Sequence, residues 1–477
     1  MPANRRSEIR PAPGEEFFWY GSAFTRTLVP AMTPATSPLL TDLYELNMIQ
    51  AYLDRGENKE AAFEFFVRRL PARREFLLAA GLDTLLDYLE TLRFSPEDIA
   101  WLASTGRFKK NLLDYLAAFR FTGDVHAMPE GTVFFPHEPI VRITAPLVQA
   151  QLVESRLINV MHFQSMIASK AARMVLAADG KTVVDFGLRS AHGAEAGLLA
   201  SRASYIAGFA GAANVLAGKL FGIPIFGTMA HSFVQVHDDE AAAFENYARA
   251  RPEGVTLLLD TYDTEAAARK VVALAPRLAA DGIVVRAVRI DSGDLIAMAK
   301  SVRRILDGGG LSAVTIFVSG GVNEDVLAKI RAAGAPIDGY GIGANLTSSQ
   351  DAPTLDCAYK LQDYAGAPRR KRSEGKATWP GRKQVWRSYG ADGRMKSDVL
   401  SVETDKQAGE SLIEPAMRGG KRLAPQPSLA DIRTRAARDL ARLPEPLRQL
   451  TPNSAYDVKV ADALAALAEQ ADARIRG

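Results

Sequence analysis

Between residues 182 and 343, short β-rich runs alternate with helical patterns, and no other feature of the chain limits its fold so much. The runs are TVVDFG (182–187), IPIFG (223–227), VTLLLD (255–260), IVVRAVRI (283–290), VTIFVS (314–319) and IDGYGIG (337–343). Strands recurring every ~25–40 residues with helices between them predict βαβ units and a parallel sheet. The residues just past each run narrow the choice. The ends lead into Arg189, then Thr228 and His231, Asp260 and Asp263, Asp291, Ser292 and Asp294, Gly320 and Gly321, and lastly Gly343 and Thr347. Polar, glycine-rich chemistry just past the carboxyl ends of parallel strands is how (β/α) barrels build their sites. Doubly wound sheets do so at fewer loops. Six such ends predict an irregular (β/α) barrel.

The flanks read differently. Residues 39–48 start like a helix, with Thr41 or Asp42 as N-cap. Residues 61–67 predict a strand, 81–119 helices, 121–145 strands, and about 147–177 one long helix that no proline interrupts. Beyond 355, a dense basic stretch (368–387) holds a single acid, Glu374; a short strand is expected at 399–402 and helices at 429–441 and 460–475.

Composition excludes several classes. Cys357 is the only cysteine, so no disulfide scaffold is possible. The 58 Lys+Arg nearly balance the 55 Asp+Glu, and a net charge of +3 argues against nucleic acid as partner. The most apolar stretch, 203–235, contains Lys219 and Pro224 and divides into pieces shorter than the ~20 residues a span needs. The apolar run 17–24 is too short, and too close to Glu8, Glu15 and Glu16, for a signal peptide. A cytoplasmic protein is expected, with residues 1–36 a loose extension and Met32 a candidate start.

Four motifs carry chemistry. VRIDSGD (288–294) sets Asp291 and Asp294 across a small-residue turn, which suits either a divalent cation or sugar hydroxyls, or a helix cap. Ser319-Gly320-Gly321 and Gly341-Ile342-Gly343 through Thr347 are successive strand-to-loop glycine motifs, whose free N–H groups can cradle phosphate. Barrels commonly place a phosphate there. His231, four residues past Gly227, is either a structural histidine or a reactive one; the other histidines show no zinc spacing. No GxxxxGK[ST] loop is present.

In combination the residues resemble the nicotinate phosphoribosyltransferase family. The resemblance rests on LLTDLYELNM (39–48), FEFFVRRLP (63–71), DFGLRSAHG (185–193), GTMAHSF (227–233), LLDTYD (258–263), VRIDSGDL (288–295) and the closing loop with Thr347. It implies an irregular barrel over 151–355 packed on an α/β sandwich and cap built from 37–150 and 356–477, in dimers with shared active sites. It further implies transfer of phosphoribose from 5-phosphoribosyl 1-diphosphate (PRPP) to nicotinate in NAD biosynthesis. Mg²⁺ would assist, and ATP hydrolysis would be coupled through a phosphorylated histidine, His231. On this resemblance Asp291 lies near the ribose and metal, with Asp294 a second metal candidate. Arg289 pairs with the nicotinate carboxylate, Thr228 hydrogen-bonds the pyridine acid, and Tyr44, beside Asp42, stacks on the ring from a neighbouring subunit. Arg189 faces substrate. Ser319, Gly320, Gly321, Gly343 and Thr347 hold the 5-phosphate, and Lys360, with Arg68, Arg69, Lys371 and Lys376, meets diphosphate or ATP. Nicotinamide or quinolinate phosphoribosyltransferases, and a sugar-phosphate lyase or isomerase using His231 as acid/base, remain as alternatives.

Overall fold

The computed structural model describes residues 36–425, 427–451 and 454–476. The expected loose extension, save Thr36, and the candidate start Met32 lie outside the described residues.

The alternating region forms a six-stranded, wholly parallel sheet that curls into a half-barrel. Its strands lie in the order Gly211–Ala212, Thr182–Asp185, Gly339–Ile342, Thr315–Val318, Val285–Ile290, Val255–Leu258. Strand interiors such as Val183, Val184, Val288, Ile290, Ile316, Val318 and Ile342 are buried, as strands covered on both faces require. Each long helix between them turns one apolar stripe inward; Thr264–Ala280 buries Ala267, Ala268, Val271, Leu274, Ala275 and Leu278.

Five of the six expected strands form. The exception is 223–227, where only Ile225 bridges to Ala212, and the edge strand is Gly211–Ala212. Pro224 has no N–H to give a ladder, and the segment is fastened by Ala212 N–H donating to the Pro224 carbonyl and Phe226 N–H to the Ala212 carbonyl. The expected helix 147–177 is two, Leu147–Leu152 and Glu154–Ala178, broken at Val153.

A second, seven-stranded sheet is wholly antiparallel. Its order is Ala367–Pro368, Cys357–Tyr364, Glu60–Val67, Pro139–Pro146, Asp124–Ala127, Glu414–Arg418, Lys421–Arg422. Strands from both ends of the chain thus lie side by side: Glu60–Val67 pairs with Cys357–Tyr364 from Ala61↔Tyr364 to Val67↔Cys357. A four-stranded sheet (Glu410–Ser411, Lys383–Tyr389, Met395–Val402, Val458–Val460) completes the C-terminal part. The helices expected at 39–48, 81–119, 429–441 and 460–475 form as Leu43–Arg55, as three helices within Leu82–Ala117, as Leu429–Arg442 and as Asp462–Arg476. No described helix is long and apolar enough to cross a membrane.

Candidate active site

Side chains two apart on a strand share a face, so the Arg289-Ile290-Asp291 run sends Arg289 and Asp291 the same way and buries Ile290. Arg289 is the hub. Its Nε donates to Ser319 Oγ (2.8 Å), its Nη1 to Thr228 Oγ1 (3.1 Å) and its Nη2 to Asp291 Oδ1 (2.9 Å). The guanidinium lies 5.4 Å from the centroid of Phe186, which supports the planar cation from below. Ser319 in turn donates its hydroxyl to Asp291 Oδ1. Residues from three strand ends, with Thr228 from the segment after Ile225, therefore meet at one cation.

His231 begins the short helix His231–Gln235. Its Nδ1 is 3.2 Å from Thr261 Oγ1 and its Nε2 is 3.9 Å from Asp291 Oδ2, while 39% of its side chain stays open. Asp260 fastens the neighbouring loop: its Oδ2 accepts from the Asp291 N–H (3.1 Å) and from Ser292 Oγ (2.5 Å). Among the described residues, Asp260 Oδ1 is buried with no hydrogen-bond partner. Asp294 does something else. It is exposed, and its Oδ1 accepts from the Ile296 and Ala297 N–H groups, capping the helix Leu295–Gly308.

The two glycine loops pack on this cluster. Gly320 has φ of 82°, and a Cβ there would overlap the Asp291 carbonyl oxygen, so only glycine lets the loop approach. Asn345 Nδ2 reaches across to the Gly321 and Val322 carbonyls (3.1 and 2.9 Å). Thr347, buried, donates its hydroxyl to the Gly187 carbonyl (3.3 Å). Arg189, in the turn Leu188–Ser190, is exposed.

Asp42, Tyr44 and Lys360 form a separate group. Ser155 Oγ donates to Asp42 Oδ2 (2.8 Å), and Lys360 Nζ donates to Glu154 Oε1 (3.3 Å). Glu45, fully buried, accepts from Gln151 Nε2 (2.6 Å), which also reaches Glu154 (3.0 Å). Burial pushes the Glu45 carboxyl up to about 7, and the Glu154 and Asp42 charges add to that against the Tyr44 and Gln151 hydrogen bonds. Tyr44 is 46% exposed, as are Leu43 (46%) and Leu40 (43%). Among the described residues no hydrogen bond or ion pair joins this group to the Arg289 cluster. Of the basic residues, Arg68 and Arg69 are tied to Asp356 (2.8 and 3.1 Å), while the Lys371 backbone N–H bonds Thr378 Oγ1. Asp260 joins the site through the Asp291 loop, and Thr261, Phe186 and Asn345 join it without a role assigned by the sequence, although Asn345 lies in the closing glycine motif 341–347. Asp260 and Thr261 do lie inside the LLDTYD motif, and Phe186 sits within the first β-rich run.

Known proteins share these segments. The chain matches the nicotinate phosphoribosyltransferase N-terminal domain over residues 39–162, the nicotinate phosphoribosyltransferase family over 182–368 and its C-terminal domain over 403–468. The chain belongs to the nicotinate phosphoribosyltransferase family. It is 48% identical over 426 residues to nicotinate phosphoribosyltransferase pncB2 of Mycobacterium tuberculosis, covering 89% of this chain and 91% of that one. The nicotinate phosphoribosyltransferase of Homo sapiens is 32% identical across 92% of this chain and 97% of its own. A crystal structure of human nicotinic acid phosphoribosyltransferase superposes with a TM-score of 0.82 at 30% identity, covering 90% of this chain and 99% of that one. All the strand-end residues described above lie within the segment 182–368 that carries the family match.

Proposed function

We propose that this enzyme transfers the 5-phosphoribosyl group of PRPP to the ring nitrogen of nicotinate, yielding nicotinate mononucleotide and diphosphate for NAD biosynthesis. The observation that carries the reading is Arg289, a guanidinium held open between Thr228, Ser319 and Asp291 over an aromatic ring. A bidentate fork of this kind is the natural partner of a carboxylate, so nicotinate is favoured over its amide. Thr228 Oγ1 lies beside the same guanidinium and adds a hydrogen bond to the pyridine acid.

In the reaction the pyridine nitrogen bonds to C1 of the ribose as the bond from C1 to the diphosphate oxygen breaks. The sugar becomes cationic as the leaving group departs. Asp291 would face that developing charge, while Gly320, Gly321, Gly343, Ser319 and Thr347 anchor the 5-phosphate with backbone N–H groups and hydroxyls. Among the described residues no three His, Cys, Asp or Glu side chains cage a metal. The Asp260 carboxylate accepts from the Asp291 backbone N–H, and among the described residues its buried Oδ1 has no hydrogen-bond partner, which fits a cation that takes one or two protein carboxylates and completes its shell with substrate phosphates. Asp260 and Asp291 would hold Mg²⁺, which supplies charge neutralisation for the leaving diphosphate. Asp294, engaged in its helix cap, is the weaker ligand.

His231 is the residue for ATP coupling: its ring is accessible, adjoins Asp291, and has Thr261 to orient Nδ1. The exposed Leu40, Leu43 and Tyr44 support a homodimer in which Tyr44 reaches the neighbouring subunit's pyridine, with Asp42 and Lys360 beside it. A lone cysteine, whose thiol burial pushes up to about 12, suits a reducing cytoplasm.

The test is product formation from nicotinate, PRPP and Mg²⁺, with and without ATP, in wild type and His231→Ala. Nicotinate mononucleotide formed with strong ATP stimulation, lost in the variant, is the expected result. Equal rates in both proteins without ATP would leave the transferase and remove the role of His231. Absence of nucleotide product would remove the transferase.

A further inference from the structure

The loops 319–323 and 343–347 come from neighbouring strands, Thr315–Val318 and Gly339–Ile342, yet those strands pair over only two residue positions, Phe317↔Gly339 and Val318↔Tyr340. The sheet alone therefore fixes the gap between the loops poorly. Two side chains to which the sequence motifs give no role span it. At the mouth, Asn345 Nδ2 donates to both the Gly321 and Val322 carbonyls, at 3.1 and 2.9 Å. Beneath, Lys170 rises from the helix Glu154–Ala178 with 3% of its side chain exposed. Its Nζ lies 2.6 Å from Glu324 Oε2 and 2.7 Å from Asp351 Oδ1. Glu324 opens the helix that the first loop leads into, and Asp351 comes a few residues after the second loop.

The surrounding charges reinforce the same span. Arg173, one turn on from Lys170, lies 3.5 Å from Glu324 Oε1, and the buried Arg74 bonds Asp351 (3.1 Å) and Ser349 Oγ (2.9 Å). A buried ammonium shared by two carboxylates is costly to desolvate and is a poor source of net stability. It does fix geometry, because leaving either carboxylate would strand a charge. A tether at each end of the gap, one neutral and shallow, one ionic and deep, holds both loops at one separation.

We propose that Asn345 and Lys170 are positioning residues that set the distance between the two glycine loops and thereby the affinity for the 5-phosphate of PRPP. The inference rests on the reading of these loops as that phosphate's site. Neither residue touches substrate; each acts through backbone N–H groups placed by the loop it holds.

The test is steady-state kinetics of the full-length enzyme with PRPP and nicotinate varied in turn. Asn345→Ala removes two hydrogen bonds and is expected to raise KM for PRPP about tenfold, with kcat and the nicotinate KM within about twofold. Lys170→Met should show the same split, and Lys170→Arg, which can keep both ion pairs, should restore it. Because one gap is shared, the double variant should fall short of the product of the single effects. If Lys170→Met fails to fold, Asn345→Ala decides alone. Thr347→Val separates the tether from the phosphate site. A raised PRPP KM in Thr347→Val with an unchanged one in Asn345→Ala overturns the tether and keeps the phosphate site. Unchanged PRPP KM in both overturns the phosphate site and the tether with it. A fall in kcat without a rise in KM in Asn345→Ala overturns the tether as well.

Discussion

Two clusters in this molecule are built from the same parts, an arginine, an aspartate and an aromatic ring, and they differ in one respect. Arg387 bonds Asp398 through Nε and Nη2 (3.0 and 2.6 Å), lies over Phe135, and has Tyr456 donating to the same carboxylate (2.9 Å). Arg289 bonds Asp291, lies over Phe186, and has Ser319 on the same carboxylate. The side chains of Arg387 and Asp398 are wholly buried, whereas 13% of Arg289 and 29% of Asp291 remain open. In the closed cluster the arginine and its carboxylate are committed to each other. Burial and the Asp398 charge push the nearby Glu138 carboxyl well above its usual range. The open cluster is reachable from solvent, and on the proposed function it exchanges an internal partner for a ligand carboxylate. Composition does not separate structural from functional ion pairs; access to a ligand does.

The largest difference expected between the two clusters is in stability. Arg387→Met strands Asp398 in the core and should cost about 3–5 kcal/mol. Arg289→Met, which leaves its carboxylate partner 29% open to water, should cost less, about 1–2 kcal/mol, and lower kcat/KM for nicotinate by roughly a hundredfold or more. Urea denaturation and initial rates on both variants settle it. An Arg289→Met enzyme that unfolds as early as Arg387→Met would make the open cluster structural.

The open cluster is largely legible in the sequence because its signal is local. An arginine and an aspartate two apart on a strand must share a face, and a glycine pair after a strand must turn. The features that escape a sequence reading are non-local or lack a side-chain signal. Gly211–Ala212 has no β-branched residue to announce a strand, while the more strand-like run beside it contains Pro224, which cannot sustain a ladder. The break at Val153 leaves no mark in the apolar spacing. Asn345 reads as an ordinary polar residue until the loop carbonyls it spans, over 20 positions away, are brought to it. The VRIDSGD motif is compatible with both metal and cap at Asp294, and the structure puts its carboxylate on two backbone N–H groups.

Glu45 lies between the two extremes: fully buried, yet next to the exposed Tyr44. Its carboxyl is raised to about 7 in the folded protein from 4.5, chiefly by burial. The unfolded chain therefore releases this proton first as pH rises. Stability attributable to Glu45 is greatest below about pH 4.5 and declines until about pH 7, above which it is level. Glu45→Gln removes that decline and should gain stability over wild type at about pH 8 relative to about pH 5. Urea midpoints for both proteins at the two pH values give the difference directly. The same offset at both would mean Glu45 titrates like a solvated acid, and the cluster around Tyr44 would then belong with the open one.

The smallest effect concerns Asp294, which belongs to the site's motif but caps a helix. Asp294→Ala should lose about 1 kcal/mol of stability with the cap. Asp294→Asn keeps a cap-forming oxygen and removes the charge, so it should hold both the stability and the Mg²⁺ concentration for half-maximal rate. A tenfold rise in that concentration in Asp294→Asn, with stability intact, would move Asp294 from the helix to the metal. It would also extend the open cluster one turn beyond Asp260 and Asp291, because a carboxylate that serves a cation cannot at the same time satisfy the Ile296 and Ala297 N–H groups with the same oxygen at full strength.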